Sequence, residues 1–110
     1  MASSKEYLDY ILEQTNKLKL TVKRMMGEFL LYYKNTLFGG IYDDRLLVKK
    51  TITNNIYDME ESIPYEGAKP MYLVSEIDNK ELLCEIIINT YNGLKKWYNK
   101  FKECVIYVFI

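Results

Sequence analysis

Four cations in this sequence are candidates for binding an anionic group: Arg24, Arg45, Lys49 and Lys69. A guanidinium can bind a carboxylate or a phosphate through two parallel hydrogen bonds, whereas an ammonium acts as a compact point charge. A cation held beside a sheet could therefore bind a small anionic ligand. For Arg24 the structural alternative is an ion pair with Glu28 or Asp44 that stabilises the edge of the sheet.

Charge balance argues against direct nucleic-acid binding. Fifteen Lys and Arg residues are matched by fifteen Asp and Glu residues, so the formal net charge is zero. A protein that binds phosphates without sequence preference depends on an excess of cations, which this chain does not have. Direct nucleic-acid binding stays an alternative, because Lys23-Arg24, Arg45, Lys49-Lys50 and Lys69 would cluster if the first and fourth predicted strands were neighbours.

The residue types that catalysis most often uses are sparse. The 110-residue chain contains no histidine, which excludes Ser-His-Asp and Cys-His catalytic sets and histidine-bound metals. Cys84 and Cys104 lie twenty residues apart, a spacing that matches neither a redox motif nor a zinc motif. The sequence therefore predicts a protein that is not an enzyme and that holds no cofactor or metal. Gly39-Gly40 lies inside a predicted strand, which favours a bulge or a close backbone approach over a phosphate-binding loop.

The elements that must position these residues follow from hydrophobic periodicity. An amphipathic helix is predicted to begin at a capping box formed by Ser3 and Glu6 and to end near Lys19. Short apolar and β-branched runs then predict strands at 20–25, 28–34, 36–42 and 45–50. The connections between these strands are too short for helical crossovers, so their sheet must be antiparallel.

The second half of the chain predicts a short helix, a loop, a strand and a long helix. The short helix is expected over residues 51–62, with Ile52, Ile56 and Met59 on one side. The loop contains Pro64 and Pro70, and a fifth strand follows at 71–74. The long helix is expected to begin after Asp78 as its N-cap. The predicted fold class is thus α+β, in the order α-β-β-β-β-α-β-α, with the helices on one face of an antiparallel sheet.

We expect one domain over residues 1–103, followed by an apolar tail at 104–110. The tail is uncharged and rich in β-forming residues, so it could add a strand or contact a partner. The chain starts without the features of a signal peptide, and no apolar run reaches the ~18 residues that a transmembrane helix needs. These features predict a cytoplasmic protein with reduced cysteines and no membrane partner.

Several blocks of the sequence resemble the N-terminal domain of the TfoX/Sxy family: MASSKEYL at 1–8, RMMGE at 24–28, LYY at 31–33, FGGIYDDRLLVK at 38–49 and YEGAKPM at 65–71. The resemblance covers roughly residues 1–95, with the blocks in the family's order. It implies a small domain similar to secretion-chaperone folds, and no catalytic residue set is associated with that domain. Arg24 and Lys69 lie at positions of the family motifs.

The resemblance also implies a function. The family's best-known members are positive regulators of competence-gene transcription that work beside a DNA-bound activator. We therefore expect a protein-interaction domain that is an accessory factor in transcription regulation, with a transcription regulator among its candidate partners. Eleven Tyr, four Phe and one Trp exceed what a small core readily hides. Aromatic side chains are enriched in interface cores, so we also expect a homo-oligomer. The alternatives are direct nucleic-acid binding and binding of a small anionic ligand.

Overall fold

The structure is a computed structural model that describes the backbone of residues 3–109 and the side chains of residues 3–95. Within these residues, six strands form one antiparallel sheet in the order β1-β2-β3-β4-β6-β5. The strands are β1 (Thr21–Met25), β2 (Glu28–Tyr33), β3 (Thr36–Tyr42), β4 (Arg45–Val48), β5 (Glu60–Ser62) and β6 (Met71–Leu73). The helices are α1 (Lys5–Gln14) and α2 (Lys80–Phe109). The predicted α+β class is confirmed, with six strands in place of the expected five.

The first four strands are joined by hairpin turns of two residues each. Both residues of every turn have positive φ: Met26 and Gly27, Lys34 and Asn35, and Asp43 and Asp44. This pair of left-handed conformations defines a type I′ turn, whose twist matches that of the flanking strands. The turns therefore make β1 to β4 consecutive neighbours in the sheet.

Both helices begin one residue later than the sequence predicted. The hydroxyl of Ser4, and not that of Ser3, accepts a hydrogen bond from the Tyr7 amide at 3.2 Å and caps α1. The side-chain oxygen of Asn79, and not that of Asp78, accepts from the Leu82 amide at 3.2 Å. Helix α1 also ends at Gln14, and a short 3-10 turn at Asn16–Leu18 replaces the predicted last turn.

The helix predicted over residues 51–62 is wrong. A 3-10 turn at Asn55–Tyr57 and the edge strand β5 occupy this segment. Ile52 and Ile56, whose spacing suggested an apolar helix face, are both exposed. The buried side chain of Asn54 organises the segment instead, through hydrogen bonds to backbone and side-chain groups on either side of it.

The glycine pair in β3 is explained by the close approach of backbone. A Cβ atom added to Gly39 would lie 2.1 Å from the Leu47 carbonyl oxygen in the adjacent strand β4. The register between β2 and β3 also shifts at Leu31 and Tyr32, which indicates a bulge. Both structural interpretations of the pair are confirmed, and neither calls for a phosphate.

The main core lies between the two helices and one face of the sheet. Its buried members come from α1, the central strands, Val74 and α2: Leu8, Ile11, Phe29, Leu31, Phe38, Ile41, Leu46, Val48, Val74, Leu83, Ile86 and Ile87. Both helices therefore pack on the same face, as the sequence predicted. The opposite face of the sheet is left without a described helix over it.

The backbone of residues 104–109 continues α2, so the added strand that was one alternative for the apolar tail does not form. A role of the tail in partner contact, and the boundary at residue 103, stay predictions, because the side chains beyond residue 95 and the whole of Ile110 lie outside the described residues. Within the part of the chain that was described, neither helix is long and apolar enough to cross a membrane.

Candidate interaction surface

The face of the sheet that lies away from the helices carries its own apolar cluster, which we call the open face. Its buried members are Leu30, Tyr42 and Leu47, one from each of the three central strands. Four half-buried side chains surround them: Tyr32, Leu37, Met71 and Leu73. Side chains alternate between the two faces of a strand, so the neighbours of these residues in sequence supply the main core.

Two adjoining depressions of about 730 and 840 Å³ lie on the open face and form one continuous groove. Both are lined by Met25, Leu30, Tyr42, Pro64 and Tyr65, which therefore form the middle of the groove. Cavities of this size are in the range of small-molecule and peptide sites. The groove is a concave and largely apolar surface of the described residues.

A loop that follows β5 forms one wall of the groove. The Tyr65 ring lies against the Tyr42 ring, with 6.4 Å between centroids and a tilt of 52°. The Ala68 amide donates a hydrogen bond to the Tyr65 carbonyl at 3.1 Å, and Gly67 has a φ of 88°, so residues 65–68 form a turn. This geometry holds Tyr65 over the sheet while most of its ring remains exposed.

Arg45 attaches this loop to the sheet, which differs from the anion-binding role that the sequence suggested. Its Nε donates to the Tyr42 carbonyl at 3.1 Å, and its Nη2 donates to the Ile63 carbonyl at 3.2 Å. Nη1 donates to the Ser62 hydroxyl. The guanidinium thus bridges β4 to the segment that leads into the loop, and three of its donors are already used.

Lys49 and Lys69 do come together, since both line the same end of the groove. Lys50 lines this end as well, but its ammonium forms an ion pair with Glu61 and lies 5.5 Å from the centre of the Tyr72 ring. Hydrogen bonding to Glu61 raises the pKa of Lys50 above its ordinary value. We call this the basic end of the groove.

Arg24 lies apart from these lysines, because β1 and β4 are not neighbours and the condition for a cluster of the cations is therefore not met. Strands β1 and β4 are separated by two strands, or about 14 Å at ordinary strand spacing. The Arg24 guanidinium lies 5.6 Å from the centre of the Phe29 ring, a cation–π contact. The sequence left the order of the strands open, so it could bring Lys23 and Arg24 beside Lys49 only on the condition that the two strands were neighbours.

The ion pair expected for Arg24 is also wrong, because both carboxylates serve other groups. Glu28 accepts hydrogen bonds from the Ser3 amide at 3.2 Å and from the Asp43 amide at 2.7 Å. Asp44 accepts from the Ser4 amide at 2.7 Å. These carboxylates fasten the start of α1 to the hairpin turns of the sheet.

Acidic side chains line the end of the groove opposite the basic end. This acidic end contains Glu28, Asp43 and Glu66, together with the exposed side chain of Met26 and the engaged Arg45. Sequence reasoning missed the groove because its central residues belong to separate strands and to a loop. The available signal was that Phe29, Leu30 and Leu31 are apolar at consecutive positions, which indicates that β2 is apolar on both faces.

Burial raises the pKa of the Tyr42 phenol above its ordinary value, and the neighbouring Tyr65 and Glu28 raise it further. Tyr42 is therefore a neutral hydrogen-bond donor and acceptor at physiological pH, at the middle of the groove. The groove can offer a partner this hydroxyl, apolar and aromatic surface, and opposite charges at its two ends.

Within the described residues, no group of three or more acidic or cysteine side chains is arranged to hold a metal ion. Cys84 is buried between α1 and α2, where its thiol donates a weak hydrogen bond to the Gln14 carbonyl at 3.9 Å. Burial raises the pKa of this thiol, which keeps it protonated and poorly nucleophilic. The position of Cys84 is that of a small core residue.

Comparison with known proteins gives one relative and no family model. The chain is 30% identical over 80 residues to an uncharacterised 12.7 kDa protein in the trpE 5′ region of Spirochaeta aurantia, and the match covers 70% of each chain. No protein-family model matches the sequence. The resemblance to the TfoX/Sxy family therefore stays a prediction.

Proposed function

We propose that this chain, which belongs to the family of the uncharacterised 12.7 kDa protein from Spirochaeta aurantia, is a protein-interaction domain without enzymatic activity. Its binding surface is the groove on the open face of the sheet. The rigid part of the surface is the sheet itself, and the part that can adjust is the loop that carries Tyr65.

The exposure of large apolar side chains around the groove is the observation that carries this proposal. Met25 is 49% exposed, Met26 is 95% exposed and Tyr65 is 64% exposed, and all three line the groove. Ile63 in the adjoining loop is 51% exposed. Methionine and aromatic residues are enriched in protein interfaces, and a contiguous apolar patch on a small domain is typical of a binding site.

The regulatory part of the proposal rests on the sequence blocks shared with the TfoX/Sxy family. They support an accessory role in transcription regulation of the competence type, exerted in the cytoplasm through contact with a transcription regulator. Direct nucleic-acid binding is less well supported, because Arg24 on β1 and Lys49 after β4 are separated by two strands and Arg45 is engaged in holding a loop.

The test is affinity capture from the native host with nuclease treatment, using the wild-type chain and two variants. Tyr65→Asp places a charge in the middle of the groove, whereas Ile52→Asp places one on an exposed site that does not line it. We expect a protein partner to be retained by the wild type and by Ile52→Asp, and to be lost from Tyr65→Asp. Equal retention by all three chains contradicts the proposal, and nucleic acid that disappears with nuclease supports the alternative.

A second candidate function is the binding of a small anionic ligand at the basic end of the groove. Lys49 and Lys69 line the same end, beside apolar groups that could hold the remainder of an amphipathic anion. Under this alternative, an aromatic or aliphatic carboxylate raises the melting temperature of the wild type. Lys49→Ala/Lys69→Ala abolishes that shift while leaving the unliganded melting temperature nearly unchanged.

A further inference from the structure

The two ends of the groove carry opposite charge, and this asymmetry indicates a specific partner. Lys49 and Lys69 line only the basic end, while Glu28, Asp43 and Glu66 line only the acidic end. Lys50 adds little at the basic end because Glu61 neutralises it, and the single positive charge of Arg45 does not offset the three carboxylates at the acidic end.

The ends are separated along the direction of strand β3. The Lys49 amide donates to the Phe38 carbonyl at 2.8 Å, so Lys49 lies beside Phe38 near the start of β3. Asp43 directly follows the last residue of the same strand. Five residues of extended chain separate the two positions, a distance of about 16 Å.

The middle of the groove is apolar and carries no charge of either sign. Met25, Leu30, Tyr42, Pro64 and Tyr65 line both depressions and lie between the two charged ends. This arrangement of an apolar centre with charged ends is that of an interface with a desolvated core and a polar rim. A partner must therefore present apolar groups at its centre and reversed charges at its ends.

We propose that the partner on the open face is a second copy of this chain, related to the first by a two-fold axis through the middle of the groove. A two-fold axis that lies between the two sheets, parallel to them and perpendicular to the length of the groove, turns the open faces toward each other and exchanges the two ends. It therefore lays the basic end of each copy against the acidic end of the other and stacks their apolar centres. This inference rests on the proposed function: it names a second copy as the occupant of the groove, so that a transcription regulator would contact the dimer outside the groove.

The charge of the whole chain agrees with self-association. Fifteen cations and fifteen anions give a formal net charge of zero, so two copies meet no overall repulsion. A partner of uniform charge would be repelled at one end of the groove, whereas a second copy satisfies both ends with the same set of residues. Isologous interfaces of this kind are the commonest basis of homodimers.

The experiment is to measure self-association by sedimentation equilibrium for the wild type and two charge variants. Lys49→Glu/Lys69→Glu makes both ends of the groove acidic, and Asp43→Lys/Glu66→Lys makes both ends basic. A lysine is compatible with the turn position of Asp43, because Lys34 occupies the same position of the preceding hairpin with a φ of 50° against 53°. Circular dichroism of each variant verifies that it is folded.

We expect the wild type to be a dimer whose dissociation constant rises with salt, and each charge variant to dissociate at least about tenfold more readily. An equimolar mixture of the two variants should form a heterodimer at close to wild-type affinity, because acidic ends then meet basic ends. Lys5→Glu/Lys80→Glu and Asp9→Lys/Glu13→Lys make the same charge changes on the helices and should leave the dimer intact.

Two outcomes overturn the inference: a wild type that stays monomeric at the highest concentration measured, or variants that stay dimeric and gain nothing on mixing. Failure of the inference can be told apart from failure of the proposed function. A monomeric chain that still loses a captured protein on Tyr65→Asp has a different partner in the groove. A monomeric chain with no such loss has no interaction function there.

Discussion

At the scale of single residues, Asn54 shows how one buried amide side chain can fix the conformation of a segment that the sequence predicted as a helix. Its side chain is fully buried and uses both of its polar atoms. Nδ2 donates to the Lys49 carbonyl at 2.8 Å and to the Thr90 hydroxyl at 2.9 Å, and Oδ1 accepts from the Thr51 amide at 2.9 Å. These bonds connect the end of β4 to α2, and they hold the segment between the two in a conformation that is not helical.

Asn54→Ala should lower the free energy of unfolding by about 3 kcal/mol, because it leaves three buried or half-buried polar partners without their hydrogen bonds. Urea denaturation at neutral pH measures this loss. Asn55→Ala, at the exposed next position, is the matched control and should change the free energy by less than about 0.5 kcal/mol. Similar losses from both substitutions would show that Asn54 does not organise the segment.

Arg45 is the second residue whose role is decided by its partners. The three donors of its guanidinium diverge to the Tyr42 carbonyl, the Ser62 hydroxyl and the Ile63 carbonyl. Lysine keeps the charge but cannot bridge these groups in a planar fork.

We expect Arg45→Lys to reduce stability by about 1–2 kcal/mol and to speed amide hydrogen exchange in residues 62–68 selectively. If Arg45 were an anion site instead, Arg45→Lys would leave exchange in the loop unchanged. Lys23→Arg, on an exposed position of the edge strand β1, controls for the general effect of exchanging the two cations.

At the scale of elements, the sequence predicted what depends on local patterning. The strands β1 to β4 were found within two residues of their observed ends, because type I′ turns and apolar runs mark them clearly. Strand β5 was missed because Glu60-Glu61-Ser62 has no apolar residue and pairs only at the edge of the sheet. A short polar edge strand carries little signal in its own sequence.

Local sequence patterns do not predict the order of the strands in the sheet, and the candidate site depends on that order. Lys49 and Lys69 share an end of the groove because β6 inserts between β4 and β5, which no periodicity reveals. Ile52 and Ile56 have helical spacing and yet are exposed, because the buried Asn54 fixes the segment in another conformation. Tertiary contacts therefore determine the conformation of the loop, the position of the groove and the contacts that each candidate cation makes.

The pairing of β3 with β4 leaves no room for a side chain at Gly39. A Cβ there would lie 2.1 Å from the Leu47 carbonyl oxygen and 2.9 Å from the Val48 Cα, both of which are backbone atoms. At Gly67 the constraint is the backbone conformation and not space, because its φ is 88° and an added Cβ would have open space around it.

Gly39→Ala should therefore destabilise the protein by about 3 kcal/mol, since two strands must move apart. Gly67→Ala should cost only about 1 kcal/mol, the strain of a left-handed conformation. Thermal and urea unfolding of both variants measure the difference. A smaller loss for Gly39→Ala than for Gly67→Ala would mean that the strands separate easily at the glycine pair.

At the scale of the whole molecule, the sheet separates two surfaces that differ in how far they are covered. One face is covered by α1 and α2 and contains the main core, whereas the other carries a smaller apolar cluster that only a loop covers in part. Burial is the largest cause of the raised pKa values of four groups that ionise in alkali. It raises the pKa values of Tyr7, Tyr42 and Tyr57 above 10.0 and that of Cys84 above 9.0.

These shifts predict that the fold loses stability in alkali. A group whose pKa is raised in the folded state favours folding fully below its unfolded pKa, and this contribution is lost as the pH rises through the folded value. The thermal midpoint should therefore begin to fall near pH 9, where Cys84 would ionise in the unfolded chain, and fall more steeply above pH 10 as the unfolded tyrosines ionise.

Tyr42→Phe removes one of these groups and should make the decline above pH 10 shallower, with little change in midpoint at pH 7. Scanning calorimetry of both chains between pH 7 and 11.5 measures the slopes, and parallel curves would mean that Tyr42 ionises as freely in the folded chain as in the unfolded one.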